Sequence, residues 1–192
     1  MTTALEARSV EELAAAIAAG ETPKWLHFWG HTPKGGDGGP AVGQWCLSQW
    51  YPSTFRGDDG TGFASAEHYM MWRKALLFDD AEVAAEVLAA RTPAEVLGLG
   101  RRVRGFDDGS WTAHRWEIVV TGSVLKFGQD PALRDYLLST RNRVLVEASP
   151  LDRIWGIGLA ADSEHAQDPA RWRGLNLLGF ALMEARDRLA AG

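Results

Sequence analysis

At 192 residues and 21.0 kDa, with 46% hydrophobic and 23% charged residues, the chain can bury a sizeable core without staples and has the balance of a soluble globular protein. A net charge of −5 excludes an overall basic field for gripping duplex DNA nonspecifically, and no apolar run approaches the ~20 residues a membrane span needs. The lone cysteine, Cys46, excludes an internal disulfide and a cysteine-based zinc cluster; without a basic-then-apolar leader, the expected compartment is the reducing cytoplasm.

Residues 9–19 predict a short helix with a Ser9/Glu12 capping box, a Leu13/Ile17 face and a stop at Gly20. This gives an N-terminal helical arm, residues 1–22, ahead of one domain over 23–192. The aromatic run WLHFWG at 25–30 predicts a strand. KGGDGGP at 34–40 reads as a loop joining two strands; without G-K-(S/T), a phosphate cradle is the lesser alternative. Residues 43–55 predict a second aromatic strand that ends in a Tyr51-Pro52 turn. Ser65 then caps a helix over 63–78, a stretch free of proline and β-branched residues past its cap.

Asp79 and Glu82 predict a capping box for a helix to about residue 90. Thr92-Pro93-Ala94-Glu95 opens another helix, ended by Gly98 and Gly100. Arg101, Arg102 and Arg104 follow, either a bidentate phosphate clamp or solvated surface. Residues 108–127 predict the longest helix, and Asp130-Pro131 starts one to Leu138. Residues 144–146 suit a buried strand or an extended connector, Asp168-Pro169 opens a brief turn, and 174–189 close the chain as a helix. The fold class expected is mainly α: a single compact helical domain with a small strand element near residues 25–55, with no internal repeat and no linker.

Two stretches could carry chemistry. On the 63–78 helix, Glu67, Met70, Met71, Lys74 and Leu77/Phe78 share a face, so a carboxylate and an amine stand two turns apart on an apolar stripe. A charge turned toward a core needs a partner, a ligand or a shifted pKa. The alternative is that Glu67 complements the helix start and Lys74 snorkels to water. The second stretch, EASPLDRIWGIG at 147–158, concentrates Asp152, Arg153 and Trp155 with two glycines, as ligand loops do, or it merely shapes a surface turn. If this loop faces the Glu67/Lys74 stripe, two carboxylates, an amine and flat rings suit N-glycosyl cleavage, by guided water or by lysine attack at C1. Nine tryptophans could stack flat ligands or fill core. No H-E-x-x-H or G-x-S-x-G occurs, and no dinucleotide fingerprint follows a strand, so no metal and no cofactor are expected.

The stretch EHYM at 67–70 followed by Lys74-Ala75 resembles the signature of the NADAR/YbiA-like N-glycosidases. Further blocks agree in order: LSQWYP at 47–52, LGRRVR at 99–104, LKF at 125–127, LVEASPLD at 145–152, WGIG at 155–158 and WRGLNLLG at 172–179. In that family the second block usually reads L-S-N-F-Y-P; here Gln49 and Trp50 replace the Asn-Phe pair and alter the pocket's shape. The resemblance, over about residues 25–189, implies a mainly helical fold and hydrolysis of N-glycosidic bonds. It places Glu67, Lys74 and Asp152 in catalysis, and Ser48, Trp50, Tyr51, Arg101, Trp155, Gly156, Gly158 and Asn176 in substrate binding. The substrate implied is ADP-ribose on guanine in nucleic acid. The alternatives are a ribosylaminopyrimidine phosphate of riboflavin biosynthesis, a non-catalytic ADP-ribose sensor, or a module whose charged stripe is a partner interface. The partner expected is therefore a modified guanine nucleotide or small phosphorylated N-riboside, with no membrane and no extended duplex contact.

Overall fold

The structure is a computed structural model describing residues 2–33 and 42–192; the glycine-rich stretch 34–40 lies outside the described residues. In chain order the elements are α1 (Val10–Ala18), β1 (Lys24–Phe28), a 3-10 turn (Gln44–Leu47), β2 (Phe55–Arg56), β3 (Gly62–Phe63), α2 (Ala66–Leu77), α3 (Ala81–Ala89), α4 (Pro93–Gly100), α5 (Asp108–Gln129), α6 (Pro131–Ser139), β4 (Arg143–Glu147), a second 3-10 turn (Pro169–Arg171) and α7 (Leu177–Ala191). The fold is mainly α, as its sequence implies. The chain divides into two units, Met1–Ser48 with Asp135–Gly192, and Gln49–Arg134.

In the first unit, β1 and β4 pair in parallel from Lys24↔Arg143 to Phe28↔Glu147. Val144, Leu145 and Val146 have no accessible surface, the continuous apolar run expected of a strand covered on both faces. Residues 144–146 are thus a strand rather than a connector, and α7 packs on it. Arg186 of α7 is buried and donates from Nη1 to Thr140 Oγ1 (3.0 Å) and Arg143 O (2.9 Å). The N-terminal segment joins this unit through Arg8, which pairs with Glu184 at 3.0 Å and Asp187 at 2.6 Å, while Ala4, Ala7 and Leu13 are buried.

The second unit is built on α2, which packs against α3, α4 and α5. Two glycines permit the close approach: a Cβ on Gly100 would run into Met71 Sδ, and one on Gly122 would lie 2.6 Å from Tyr69 Cδ1. Phe63 meets Tyr69 and Trp72 edge-on at 5.1 and 5.2 Å, with Phe55 beside them. Thr92 and Glu95 form the expected capping box of α4.

Two local expectations are corrected. Residues 43–55 are not a second strand: Trp45, Cys46 and Leu47 are all buried, so no alternating exposed face exists, and Gln44–Leu47 winds into a 3-10 turn. Strand pairing begins at Phe55–Arg56, which lies antiparallel to Gly62–Phe63. The cap of α3 is Asp80, not Asp79; Asp79 takes φ 55° at the exit of α2, and Asp80 accepts from Val83 N at 3.3 Å.

Candidate active site

Glu67 and Lys74 are carried by α2 in the second unit. Ser65, extended at φ −162°, starts the helix by accepting from His68 N, and Glu67 falls in the first turn, where a carboxylate suits the helix's positive end. Its backbone N–H donates to Gln49 O at 3.0 Å, and Glu67 is 3% exposed. Lys74 does not snorkel. Its Nζ donates to Gly100 O at 2.8 Å and lies 4.3 Å from the centroid of Phe106 and 5.6 Å from that of Trp111. Burial pushes the Lys74 amine below its ordinary value, and the negative Glu67 pulls in the opposite direction. Both charges on the α2 stripe are therefore turned inward and sense each other.

The segment that encloses Lys74 is held from behind. Arg104 donates to Asp80 through its backbone N–H (2.9 Å), Nε (3.1 Å) and Nη2 (2.6 Å), and those hydrogen bonds hold the Asp80 carboxyl well below the usual range. Phe106 leans edge-on against Phe78 at 5.3 Å. Of the three clustered arginines, Arg104 is thus committed to Asp80 and Glu82, and Arg102 to Glu86 at 3.1 Å. Arg101, the C-cap of α4, is exposed and has no carboxylate partner among the described residues. Trp50 and Tyr51 are half-buried in the same unit, and the buried ammonium of Lys126 lies 5.5 Å from the Tyr51 ring centroid.

The remaining predicted residues lie in the first unit. Asp152 Oδ1 accepts from Ile154 N and Trp155 N, both at 2.8 Å, which folds 152–155 into a tight turn. Asp152 Oδ2 makes no hydrogen bond among the described residues, and Trp155 is half-buried. Gly158 takes φ +67° and returns its N–H to Asp152 O at 3.0 Å; a Cβ on Gly156 would lie 2.9 Å from Glu147 O. Asn176, in the left-handed region at φ 51°, is fully buried. Its Oδ1 accepts from Glu147 N (2.9 Å) and its Nδ2 donates to Leu145 O (3.0 Å). Ser48, at the end of the 3-10 turn, is buried.

Sequence reasoning did not single out Gly100 O, Phe106 and Trp111 as the surroundings of Lys74. The only available signal was apolar: Phe106 and Trp111 flank the predicted start of α5, but nothing local ties them to a lysine some thirty residues upstream. Two open grooves lie elsewhere on the second unit, of about 480 Å³ along Tyr69, Arg73 and His114 and about 540 Å³ along Glu86, Glu95 and Arg102. Neither is lined by a predicted site residue. Among the described residues, no helix is long and apolar enough to cross a membrane.

The order and spacing of these residues can be set against known families. The model of the NADAR domain matches residues 27–190, a span that contains every predicted site residue. The chain belongs to the NADAR domain family. This NADAR chain is 40% identical over 171 residues to an N-glycosidase of Acanthamoeba polyphaga mimivirus, covering 87% of the chain and 97% of the relative. It is 30% identical over 154 residues to a chloroplastic riboflavin biosynthesis protein, PYRR, of Zea mays, covering 74% of the chain and 23% of that longer protein. In fold it resembles the NMR structure of the E. coli protein YbiA, with a TM-score of 0.66, 23% identity, and coverage of 89% and 88% of the two chains.

Proposed function

We propose that this NADAR protein is an N-glycosidase that releases ADP-ribose from ADP-ribosylated guanine in nucleic acid. The general activity, hydrolysis of N-glycosyl bonds, follows from the family and from relatives named N-glycosidase. The observation that carries the chemistry is the inward-facing pair on α2: a carboxylate 3% exposed and an amine depressed by burial, electrostatically coupled along one helix face.

Cleavage at an anomeric carbon needs an anion against oxocarbenium character and a nucleophile. Glu67 supplies the anion. Lys74, whose charged form burial disfavours, supplies in its neutral form the amine that attacks C1 and breaks the bond to guanine, which leaves with a proton. Opening of the ribose ring at its C1–O bond then gives a Schiff base, and water hydrolyses it to ADP-ribose and the free amine. The other route sends water to C1 under Glu67 or Asp152. In the first unit, Asp152 offers a carboxylate oxygen, Oδ2, that makes no hydrogen bond among the described residues. In the second unit, Trp50 and Tyr51 offer rings for stacking and Arg101 an exposed guanidinium for phosphate; in the first unit, Trp155 offers a further ring, and Ser48, Gly156, Gly158 and Asn176 fix the backbone of their own unit.

A second reading is favoured by the relative named a riboflavin biosynthesis protein: the same groups would act on a ribosylaminopyrimidine phosphate. A paired turnover assay separates the two. One arm takes an ADP-ribosylated guanine oligonucleotide, the other the ribosylaminopyrimidine phosphate, each with Glu67→Gln and Lys74→Ala controls. Free ADP-ribose in the first arm alone is the expected result, with Glu67→Gln lowering kcat about a hundredfold or more. Cleavage in the second arm alone establishes the metabolite reading, and calorimetric ADP-ribose binding without turnover in either arm makes the protein a sensor. Borohydride added during turnover should leave a mass adduct that Lys74→Ala abolishes; absence of any adduct assigns attack to water.

A further inference from the structure

The turn that holds Asp152 carries two arginines that the proposed chemistry does not use. Arg153 and Arg173 are both exposed, and neither has a carboxylate partner among the described residues, in a chain whose net charge is −5. Their backbones are knitted together: Leu175 N donates to Arg153 O at 3.0 Å and Arg173 N to Ile157 O at 2.9 Å. The stems of both converge on Gly158, since a Cβ there would lie 3.0 Å from Arg173 Cβ and 3.2 Å from Arg153 Cγ. The one acid in the turn, Asp152, has Oδ1 committed to two backbone N–H groups and pairs with neither arginine.

Around them the surface is apolar. Leu151 is 89% exposed, Ile154 44% and Leu175 43%, although α-helical and strand positions elsewhere in the unit hide comparable side chains almost completely. Leu177 N donates to Ile154 O at 3.2 Å, so the 151–154 and 175–177 segments are neighbours and the three aliphatic side chains belong to one region. Two unpaired guanidinium forks rising from exposed aliphatic ground are what a sugar–phosphate chain would meet: bidentate donors for phosphate oxygens, apolar surface for sugars and base faces.

We propose that Arg153 and Arg173 form a clamp for the phosphodiester backbone of single-stranded nucleic acid. The inference rests on the ADP-ribosyl-guanine reading and deepens it, by assigning a surface to the nucleic acid of that substrate. The contact is short, two guanidinium groups against neighbouring phosphates, and so is compatible with an acidic chain that has no overall field for duplex DNA. An acidic peptide could use the same forks, and the experiment includes it.

The test uses the purified 192-residue chain and the Arg153→Gln/Arg173→Gln variant, both substitutions being at exposed positions. Binding of an unmodified, fluorescein-labelled single-stranded oligonucleotide is followed by anisotropy between 50 and 200 mM salt. Turnover is measured on ADP-ribosyl-guanine as a mononucleotide and within the oligonucleotide. The expected variant binds the oligonucleotide about tenfold or more weakly at 50 mM salt. The slope of log affinity against log salt flattens by about 1.4, roughly 0.7 per phosphate released. Its KM for the oligonucleotide rises while mononucleotide turnover stays within about twofold, and Arg153→Lys/Arg173→Lys recovers part of the loss. Unchanged oligonucleotide affinity, an equal loss on the mononucleotide, or polyglutamate competing as well as the oligonucleotide overturns the clamp. If the wild-type chain cleaves neither substrate, the glycosidase reading fails on its own, and the binding arm still decides the clamp.

Discussion

Replacing Asn176 with alanine should cost the fold far more than it costs ligand recognition. The side chain is fully buried, and its two ends bridge Leu145 O and Glu147 N on β4 while its backbone carbonyl accepts from Phe180 N to begin α7. Alanine leaves a buried carbonyl and a part-buried N–H without those partners, at about 1–3 kcal/mol each. It also forces a β-carbon without a local hydrogen bond into φ 51°, at roughly 1–2 kcal/mol. About 4 kcal/mol is the expected total, and at roughly 2–4 °C per kcal/mol for a chain of this size the melting point should fall by about 8–16 °C. Asn176→Gly, which loses the same hydrogen bonds without the backbone strain, should recover about 1 kcal/mol of that. Asn176→Asp keeps the acceptor for Glu147 N but sets a carboxylate against Leu145 O, and should melt no higher than the alanine variant. Thermal unfolding by circular dichroism gives the comparison, with kcat/KM measured on the folded fraction at low temperature. If Asn176→Ala melts within about 2 °C of wild type while kcat/KM falls tenfold, the residue is a ligand contact and the structural argument is wrong.

Three further outcomes follow from the second unit. A neutral Lys74 amine is needed for attack at C1, so the rate should rise with pH along a limb centred below the ordinary lysine value of 10.5; Glu67→Gln removes the charge that opposes the depression and should move Lys74 acylation, followed by mass spectrometry, to still lower pH. A limb that moves upward in that variant would show that the two groups are not coupled as described. Because Arg104 lowers the Asp80 pKa in the folded state, the pair stabilises the fold fully above the ordinary carboxylate value of 3.8 and loses that contribution progressively as pH falls from there through the lower folded-state value. Urea midpoints of wild type and Arg104→Gln should accordingly differ at pH 7 and converge toward pH 2; a constant gap contradicts the linkage. Gly122→Ala drives a methyl to 2.6 Å from the buried Tyr69 ring and should lower stability by about 1–3 kcal/mol, read from the same titration, whereas an unchanged midpoint would mean that α2 and α5 part easily.

Much of the helical framework was legible because its signals are local. Ser65 before an unbroken run of helix formers and the Thr92/Glu95 box each satisfy N–H groups within four residues, and both are used as read; Asp107, which caps the longest helix, was not singled out. The misread cap of α3 was equally local but ambiguous: two adjacent aspartates compete, and Asp80 wins because its own N–H returns to Ala75 O while Asp79 absorbs the left-handed turn. The aromatic run at 43–55 failed for a different reason. Its tryptophan, cysteine and leucine suit a strand by propensity, but burial of three consecutive residues requires cover on every side, and tertiary packing supplies it.

The candidate site divides along the same line. That Glu67 and Lys74 share a face follows from spacing alone; that both face inward does not. Lys74 is held by a carbonyl 26 positions later and by rings more distant still, and the segment that carries Phe106 is fastened by an Asp80–Arg104 link that spans 24 positions. Sequence marks the arginine cluster as a phosphate clamp or as surface, and the structure gives Arg104 a third occupation: it fastens the segment whose Phe106 covers Lys74. A lysine half-buried beneath a ring on a segment so fastened has its reactivity set by the strut as well as by its own burial. Arg104→Gln should therefore move the Lys74 titration back toward 10.5 as water reaches the amine, even though the two side chains never touch; an unmoved titration would mean that Phe106 keeps its place without the strut.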